Sequence, residues 1–401
     1  MADSGPRPRR PALLVLVVAN SIPLVGVTVR AWDVAAVLLF YWLETGSAVC
    51  WAAVKALFAE RGRASDWSPS LHGLSHKRGG VSVDRLGVAV YPRNLVAAFA
   101  AGALAVVWFG YGVAFSTAGD GGHWLGGDAL VVGTVVVGVA TAFVGRGLAF
   151  WTGYLGRSRY EDVTPGVSLR EPLGYVVGLG GVLAVGPAAV STRLGWAVAA
   201  VVAVRLAFAF VAHGRTSRGG SRGAFAPLLG DGSRSFDPID VPTGAPTFET
   251  RSQSRAVALA GVLRGLAYPR LVVAYALFGV LVCGLLAGGD VRTPALIVGC
   301  FLLPLVAVAV GVTVVDRVVG YGRMEYRLYD GVVVGYDEWL DEPQWAVDYA
   351  DVEGVTRRRS PVDRLLGETR LVLELADRSA VRLRYPADSA ALYETIDGRV
   401  R

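Results

Sequence analysis

Lysine is nearly missing from this 401-residue chain, so arginine carries almost all of its positive charge. The lysines are Lys55 and Lys77. Histidine is scarce at 4 residues and cysteine at 3. Cys50, Cys283 and Cys300 form no Cys-x-x-Cys pair, which argues against a disulfide framework or a cysteine metal site. All three fall in apolar stretches and read as small core residues. There is no Gly-x-Ser-x-Gly elbow and no phosphate-loop pattern, and no internal repeat is visible. Without a nucleophile–base or metal constellation the chain does not read as an enzyme, and no cofactor or catalytic residue is expected. The net charge of +6 does not by itself indicate nucleic acid. In so apolar a chain, basic residues set orientation and attract anionic lipid headgroups.

Apolar sequence is what the chain has in quantity: 53% of its residues are hydrophobic, more than soluble domains carry. A bilayer core needs about 20 apolar residues per helical crossing. Eight stretches meet that length: Pro11–Val29, Val34–Phe58, Asn94–Phe115, Ala129–Trp151, Pro172–Val190, Leu194–Ala212, Leu271–Ala287 and Pro294–Val319. The first follows Arg7, Arg9 and Arg10 as a signal peptide would, yet it lacks a small-residue cleavage site and reads as retained. The 51 glycines fit close helix packing. The expected fold is an all-α polytopic membrane bundle of about eight transmembrane helices, followed by a small α+β domain.

Charge alternates between the loops. Arg61, Arg63, Lys77, Arg78, Arg85 and Arg93 crowd the second loop, and Arg157, Arg159 and Arg170 the fourth. The sixth carries Arg215, Arg218, Arg222, Arg234, Arg251, Arg255 and Arg264, while the alternate loops are nearly bare. Positive residues stay cytoplasmic, which places both termini inside a multi-pass protein of the cell membrane. The expected domains are a basic N-terminus (1–10), a six-helix unit (11–212), a flexible cytoplasmic loop (213–269), a two-helix unit (270–320) and a cytoplasmic tail (321–401).

Polar residues at membrane depth carry a cost, and they mark candidate sites. Glu44 falls near the middle of the second crossing, Arg205 at a similar depth in the sixth, and Asn20 near the middle of the first. They could converge as a polar site for an ion or a headgroup. Alternatively, Glu44 and Arg205 form a structural pair, or Arg205 snorkels towards the cytoplasm. Arg146, near the inner end of the fourth crossing, is also placed to snorkel. Trp42, Trp51, Trp108, Tyr111, Trp124, Trp151 and Tyr154 are frequent near helix ends, and an interfacial aromatic belt explains most of them. His72 and His76 stand four apart, but Pro69, Gly73 and Gly79 argue for a loop, and no third metal ligand is near.

From Met324 the period changes to that of β-strands. Met324–Tyr329 and Val332–Tyr336 flank Asp330-Gly331, a hairpin signal. Further β-prone runs are Trp345–Tyr349, Val352–Thr356, Thr369–Leu375 and Ala380–Tyr385, and Pro386 introduces a helix over Ser389–Asp397. Tyr326-Arg327-Leu328, Asp351-Val352-Glu353-Gly354-Val355, Arg359-Ser360-Pro361 and Arg364-Leu365-Leu366-Gly367 give the tail its family pattern. On these residues it resembles the bacterial pleckstrin-homology-like domain, which implies a role in interactions or oligomerisation. Arg357, Arg358, Arg359, Arg364 and Arg370 form its basic cluster and are candidates for lipid contact.

Asn20-Ser21-Ile22-Pro23-Leu24-Val25-Gly26-Val27 and Tyr41-Trp42-Leu43-Glu44 resemble a family of archaeal multi-pass proteins with no assigned function, domain of unknown function 6498. That resemblance supplies no reaction. The combined reading is a non-enzymatic membrane scaffold or a lipid- and protein-interaction module. Its partners would be the lipid bilayer with anionic headgroups, and a protein or a second copy of the chain. The alternative is a transporter or small-ligand-binding protein with a polar site near Asn20, Glu44 and Arg205.

Overall fold

A computed structural model describes residues 34–61, 72–85, 87–117, 129–170, 172–176, 238–266, 307, 310–376 and 380–400. They fall into two compact units, which divide between Trp67 and Ser68, between Val81 and Ser82, and between Ser235 and Phe236. The segment Ser68–Val81 therefore belongs with the C-terminal residues rather than with its neighbours in sequence.

The first unit is built on α1 (Val34–Phe58), α2 (Leu95–Thr117) and α3 (Ala129–Ala149). α3 continues without a break into a π-helical turn, Phe150–Leu155. A short two-stranded ladder, β1 (Val81–Val83) with β2 (Val88–Val90), lies between α1 and α2 in the chain. α1 is central and packs on both α2 and α3. Its Val37, Phe40, Tyr41 and Trp42 meet Trp108 and Val135, and its Val49, Ala52 and Ala56 meet Ala97 and Ala101.

Aromatic side chains staple these helices together. The Trp42 indole donates to the Trp108 carbonyl at 3.1 Å, and the Trp108 indole donates to the Trp42 carbonyl at 2.9 Å. Trp51 donates to the Phe143 carbonyl at 3.0 Å, and the Tyr154 hydroxyl to the Lys55 carbonyl at 2.8 Å. A helical carbonyl keeps a second lone pair after its intrahelical bond, so each polar tip is satisfied without disturbing the helix. Trp42 and Trp108 are buried, which corrects their expected place in an interfacial belt. Cys50 is corrected too, because it lies exposed on α1.

The second unit is antiparallel. β3 (Phe248–Arg251), β4 (Met324–Leu328), β5 (Val332–Asp337) and β6 (Glu342–Asp348) form one sheet in that order. β7 (Val352–Arg358), β8 (Arg370–Leu375) and β9 (Val381–Leu383) form a second. Between β3 and β4 in the chain come α4 (Ser254–Leu266) and α5, residues 310–321. A short helix, α6 (Pro361–Leu365), links β7 to β8, and α7 (Ser389–Val400) closes the unit. Met324, Tyr326, Leu328 and Val333 of one sheet join Val355, Leu371, Leu373 and Leu383 of the other in a shared core, over which α7 lays Leu392 and Ile396. Burying such side chains contributes about 1.5–3 kcal/mol each.

The expectation of an eight-crossing all-helical bundle is corrected. Among the described residues one helix, Leu130–Leu155, is long and apolar enough to cross a membrane, with a mean hydropathy of 1.8. The described residues also carry three antiparallel sheets. An apolar run of crossing length is equally the signature of a helix buried among other helices, and α1 fits that description. The expected crossings Pro11–Val29, Leu194–Ala212 and Leu271–Ala287 lie outside the described residues. Part of the segment expected to be a flexible loop, 213–269, forms β3 and α4 instead.

Candidate functional site

Glu44 projects from the middle of α1 and is 5% exposed. A carboxylate so placed must be paired or protonated. Arg146 of α3 supplies the partner, its Nη2 donating to Glu44 Oε1 at 2.5 Å. Arg146 therefore does not simply snorkel, because the packing of α3 on α1 turns it towards Glu44. Thr45 and Ser47 flank this pair, and both hydroxyls are buried without a hydrogen-bond partner among the described residues. The other two polar candidates, Asn20 and Arg205, lie outside the described residues.

In the second unit the basic candidates separate into two kinds. Arg357, Arg358, Arg359 and Arg364 are exposed along the end of β7 and on α6. Arg357 lies over the Tyr393 ring at 4.2 Å, Arg358 reaches Glu374 at 3.4 Å, and Arg359 donates to Thr369 Oγ1 at 2.8 Å. Next to Arg364 in sequence, Leu365 is 73% exposed. Arg370 is different, because its guanidinium is largely buried and pairs with the buried carboxylate of Asp363.

Asp363 is the hub of that corner. It accepts from the Tyr385 hydroxyl at 2.6 Å and from the Ser360 backbone at 2.7 Å, while its own backbone N–H donates to Ser360 Oγ, completing a capping box on α6. Burial works against the charged form. The bonds from Tyr385 and Ser360 and the Arg370 guanidinium outweigh it and hold the Asp363 carboxyl below the usual range.

Lys77 was not singled out by sequence reasoning. It is 2% exposed and paired with the equally buried Asp337 of β5. Its ammonium also donates to the Gly320 carbonyl at 2.9 Å. Burial lowers its pKa, and Asp337 opposes that shift. The segment around Lys77 is seated by backbone contacts. The Leu74 N–H donates to Asp316 Oδ1 at 2.9 Å, and the Arg78 N–H to Gln344 Oε1 at 2.8 Å. Gly73 lies against Gly320 and the Asp316 carbonyl so closely that a Cβ would collide. One available signal was that Lys77 is one of only two lysines in an arginine-rich chain.

His72 and Ser75 bound a single helical turn, and His76 Nδ1 lies 2.9 Å from Ser75 Oγ. Among the described residues no group of three or more His, Cys, Asp or Glu is placed to hold a metal. A cleft of about 480 Å³ opens beside the start of α4, lined by Arg251, Ser252, Ser254, Arg323, Glu338 and Trp339. Arg251 spans its wall to Glu325 at 3.3 Å and Glu338 at 3.4 Å.

Two antiparallel sheets closed by a C-terminal helix fit a pleckstrin-homology-like domain, and the family model of the bacterial PH domain matches residues 272–400. The N-terminal part gives the wider affiliation: the chain belongs to a family of unknown function, DUF6498, whose model matches residues 3–223. No curated protein and no solved structure matches the chain.

Proposed function

We propose that this protein is a non-enzymatic membrane scaffold whose PH-like unit serves as a recognition module at the cytoplasmic membrane surface. Attachment is assigned to Leu130–Leu155. Leu130, Val136, Val137, Val144, Leu148 and Trp151 leave its apolar side exposed, as contact with lipid tails requires. The observation that carries the recognition reading is Leu365, 73% exposed next to Arg364 on α6. An exposed apolar side chain next to an arginine suits the headgroup boundary of an anionic bilayer, where each arginine gains about 1 kcal/mol. Arg370 is excluded from this surface by its bond to Asp363.

The full chain in nanodiscs tests this. Amide exchange over 357–366 should slow when phosphatidylglycerol is added to phosphatidylcholine, and Leu365→Asp with Arg364→Gln should abolish the effect. Exchange that ignores lipid charge would refute the assignment.

A second reading is a small-ligand or transport site in the helical unit. It is favoured by the buried, unpartnered hydroxyls of Thr45 and Ser47 beside the Glu44–Arg146 pair. Native mass spectrometry should then find a small molecule on the wild type that Glu44→Gln loses.

A further inference from the structure

Four arginines from separate elements of the second unit gather around Tyr321 and Asp363. Arg264 comes from α4, Arg317 from α5, Arg370 from the start of β8, and Arg384 follows β9. Two glycines on α4 make the gathering possible. A Cβ on Gly261 would strike the α5 backbone at Val314, and one on Gly265 would strike it at Val310, so the two helices touch at their backbones. That closeness holds Arg264 within the electrostatic reach of Arg317, Arg370 and Arg384. Arg317 and Arg384 both lie over the Tyr321 ring, at 5.7 and 4.3 Å.

The carboxylates at hand are too few. Asp363 is already committed to Arg370, Tyr385 and Ser360. Asp316 accepts from the Leu74 backbone and stands 3.8 Å from Arg317 Nε. Among the described residues Arg264 and Arg384 make no direct ion pair, and the carboxylates that reach them are Asp363 and Asp316, already bound elsewhere. Arg384 is 7% exposed, and its Nε is buried without a hydrogen-bond acceptor, as is that of Arg370. Burial, then the charges of Arg370 and Arg384, lower the pKa of Arg264. A guanidinium does not escape such crowding by losing its proton. Each one offers five N–H donors in a planar fork that matches phosphate oxygens. Like charges held together in a half-buried place require a compensating anion.

We propose that Arg264, Arg317, Arg370 and Arg384 form a binding site for a phosphate dianion, either free in solution or as the terminal phosphate of a lipid. The site adjoins β7, where Arg358 is the register partner of Arg370, but it uses none of the exposed arginines of β7 and α6 and does not rest on their proposed role. Arg384 and Arg317 would take the deeper oxygens, stacked on Tyr321, and the part-exposed Arg264 would close over the anion from α4.

The test uses the full chain in phosphatidylcholine nanodiscs, with thermal unfolding followed by intrinsic fluorescence. Inorganic phosphate should raise Tm saturably, and chloride at matched ionic strength should not. A response confined to nanodiscs containing phosphatidic acid assigns the lipid as the source, whereas a response to inorganic phosphate assigns the soluble anion. Arg264→Gln sits on a partly exposed helix face and should keep the fold. Losing one charge-assisted contact should weaken the response about tenfold. Arg317→Gln should do the same, while Arg357→Gln, at a guanidinium stacked on Tyr393, should leave the response intact. The proposal is overturned if neither phosphate nor phosphatidic acid shifts Tm, or if Arg264→Gln and Arg317→Gln respond like the wild type.

Discussion

The two units satisfy their buried polar groups in different ways. In the helical unit, Trp42, Trp108, Trp51 and Tyr154 hand their hydrogens to backbone carbonyls of neighbouring helices. Those four staples set neutral donors on neutral acceptors, while the buried Arg93 donates to the Glu60 carbonyl and Arg146 pairs with Glu44 across 102 positions of sequence. The sheet unit instead buries both members of its ion pairs, at Lys77–Asp337 and at Arg370–Asp363. The difference teaches where each unit is fragile. Losing a neutral staple exposes a carbonyl that already has one bond, whereas losing half of a buried ion pair strands a charge.

The largest effect should come from the buried lysine. Lys77→Met alone leaves Asp337 uncompensated and should cost about 3–5 kcal/mol in denaturant unfolding of the full chain. Adding Asp337→Asn removes the stranded charge and keeps an acceptor for the Trp339 and Leu340 N–H groups. The double variant should therefore recover much of the loss, and strictly additive losses would break the comparison.

Glu44→Gln comes next. Arg146 is 23% exposed, so it can turn partly to solvent, and the cost should be about 1.5–3 kcal/mol. A double-mutant cycle with Arg146→Leu should show coupling between the two. Trp42→Phe should cost about 1 kcal/mol, the worth of one neutral hydrogen bond. An ion-pair-sized loss there would erase the distinction between the units.

The smallest effects are those of pH on the Asp363 corner. The Asp363 carboxyl is held below its ordinary 3.8. Its contribution is complete above that value and is lost as pH falls through the folded-state pKa, because the unfolded chain takes up the proton first. Tyr385 runs the other way. Burial and the Asp363 carboxylate push it up to about 12 from 10.0, so stability is lost as pH rises between those values. Asp363→Asn should flatten the acid limb of stability against pH, and Tyr385→Phe the alkaline limb.

Much of the C-terminal unit was legible because strand pattern and turn chemistry are local. Asp330-Gly331 does join β4 to β5, and the runs beginning at Val352, Thr369 and Ala380 correspond to β7, β8 and β9. β3 was hidden because four residues, Phe248–Arg251, are too short to show a period, and they gain meaning only by pairing with β4. The polar pair was half legible. Glu44 was visible as a carboxylate in an apolar run, but its partner depends on which face of α3 meets α1. Of the five basic candidates, Arg370 reads the same in sequence as its neighbours, and only the placement of Asp363 and Tyr385 draws it inward.

Taken alone, the sequence determined which segments are apolar enough for helix packing or lipid, where the strands of the tail run, and that catalytic motifs are missing. Those properties depend on neighbours a few positions away. The tertiary structure decided that Ser68–Val81 completes the C-terminal unit through Lys77, that Arg146 answers Glu44, and that Arg317 and Arg384 meet over the Tyr321 ring. Charge pairing depends on distance in space, and no local pattern encodes a contact between residues more than two hundred positions apart.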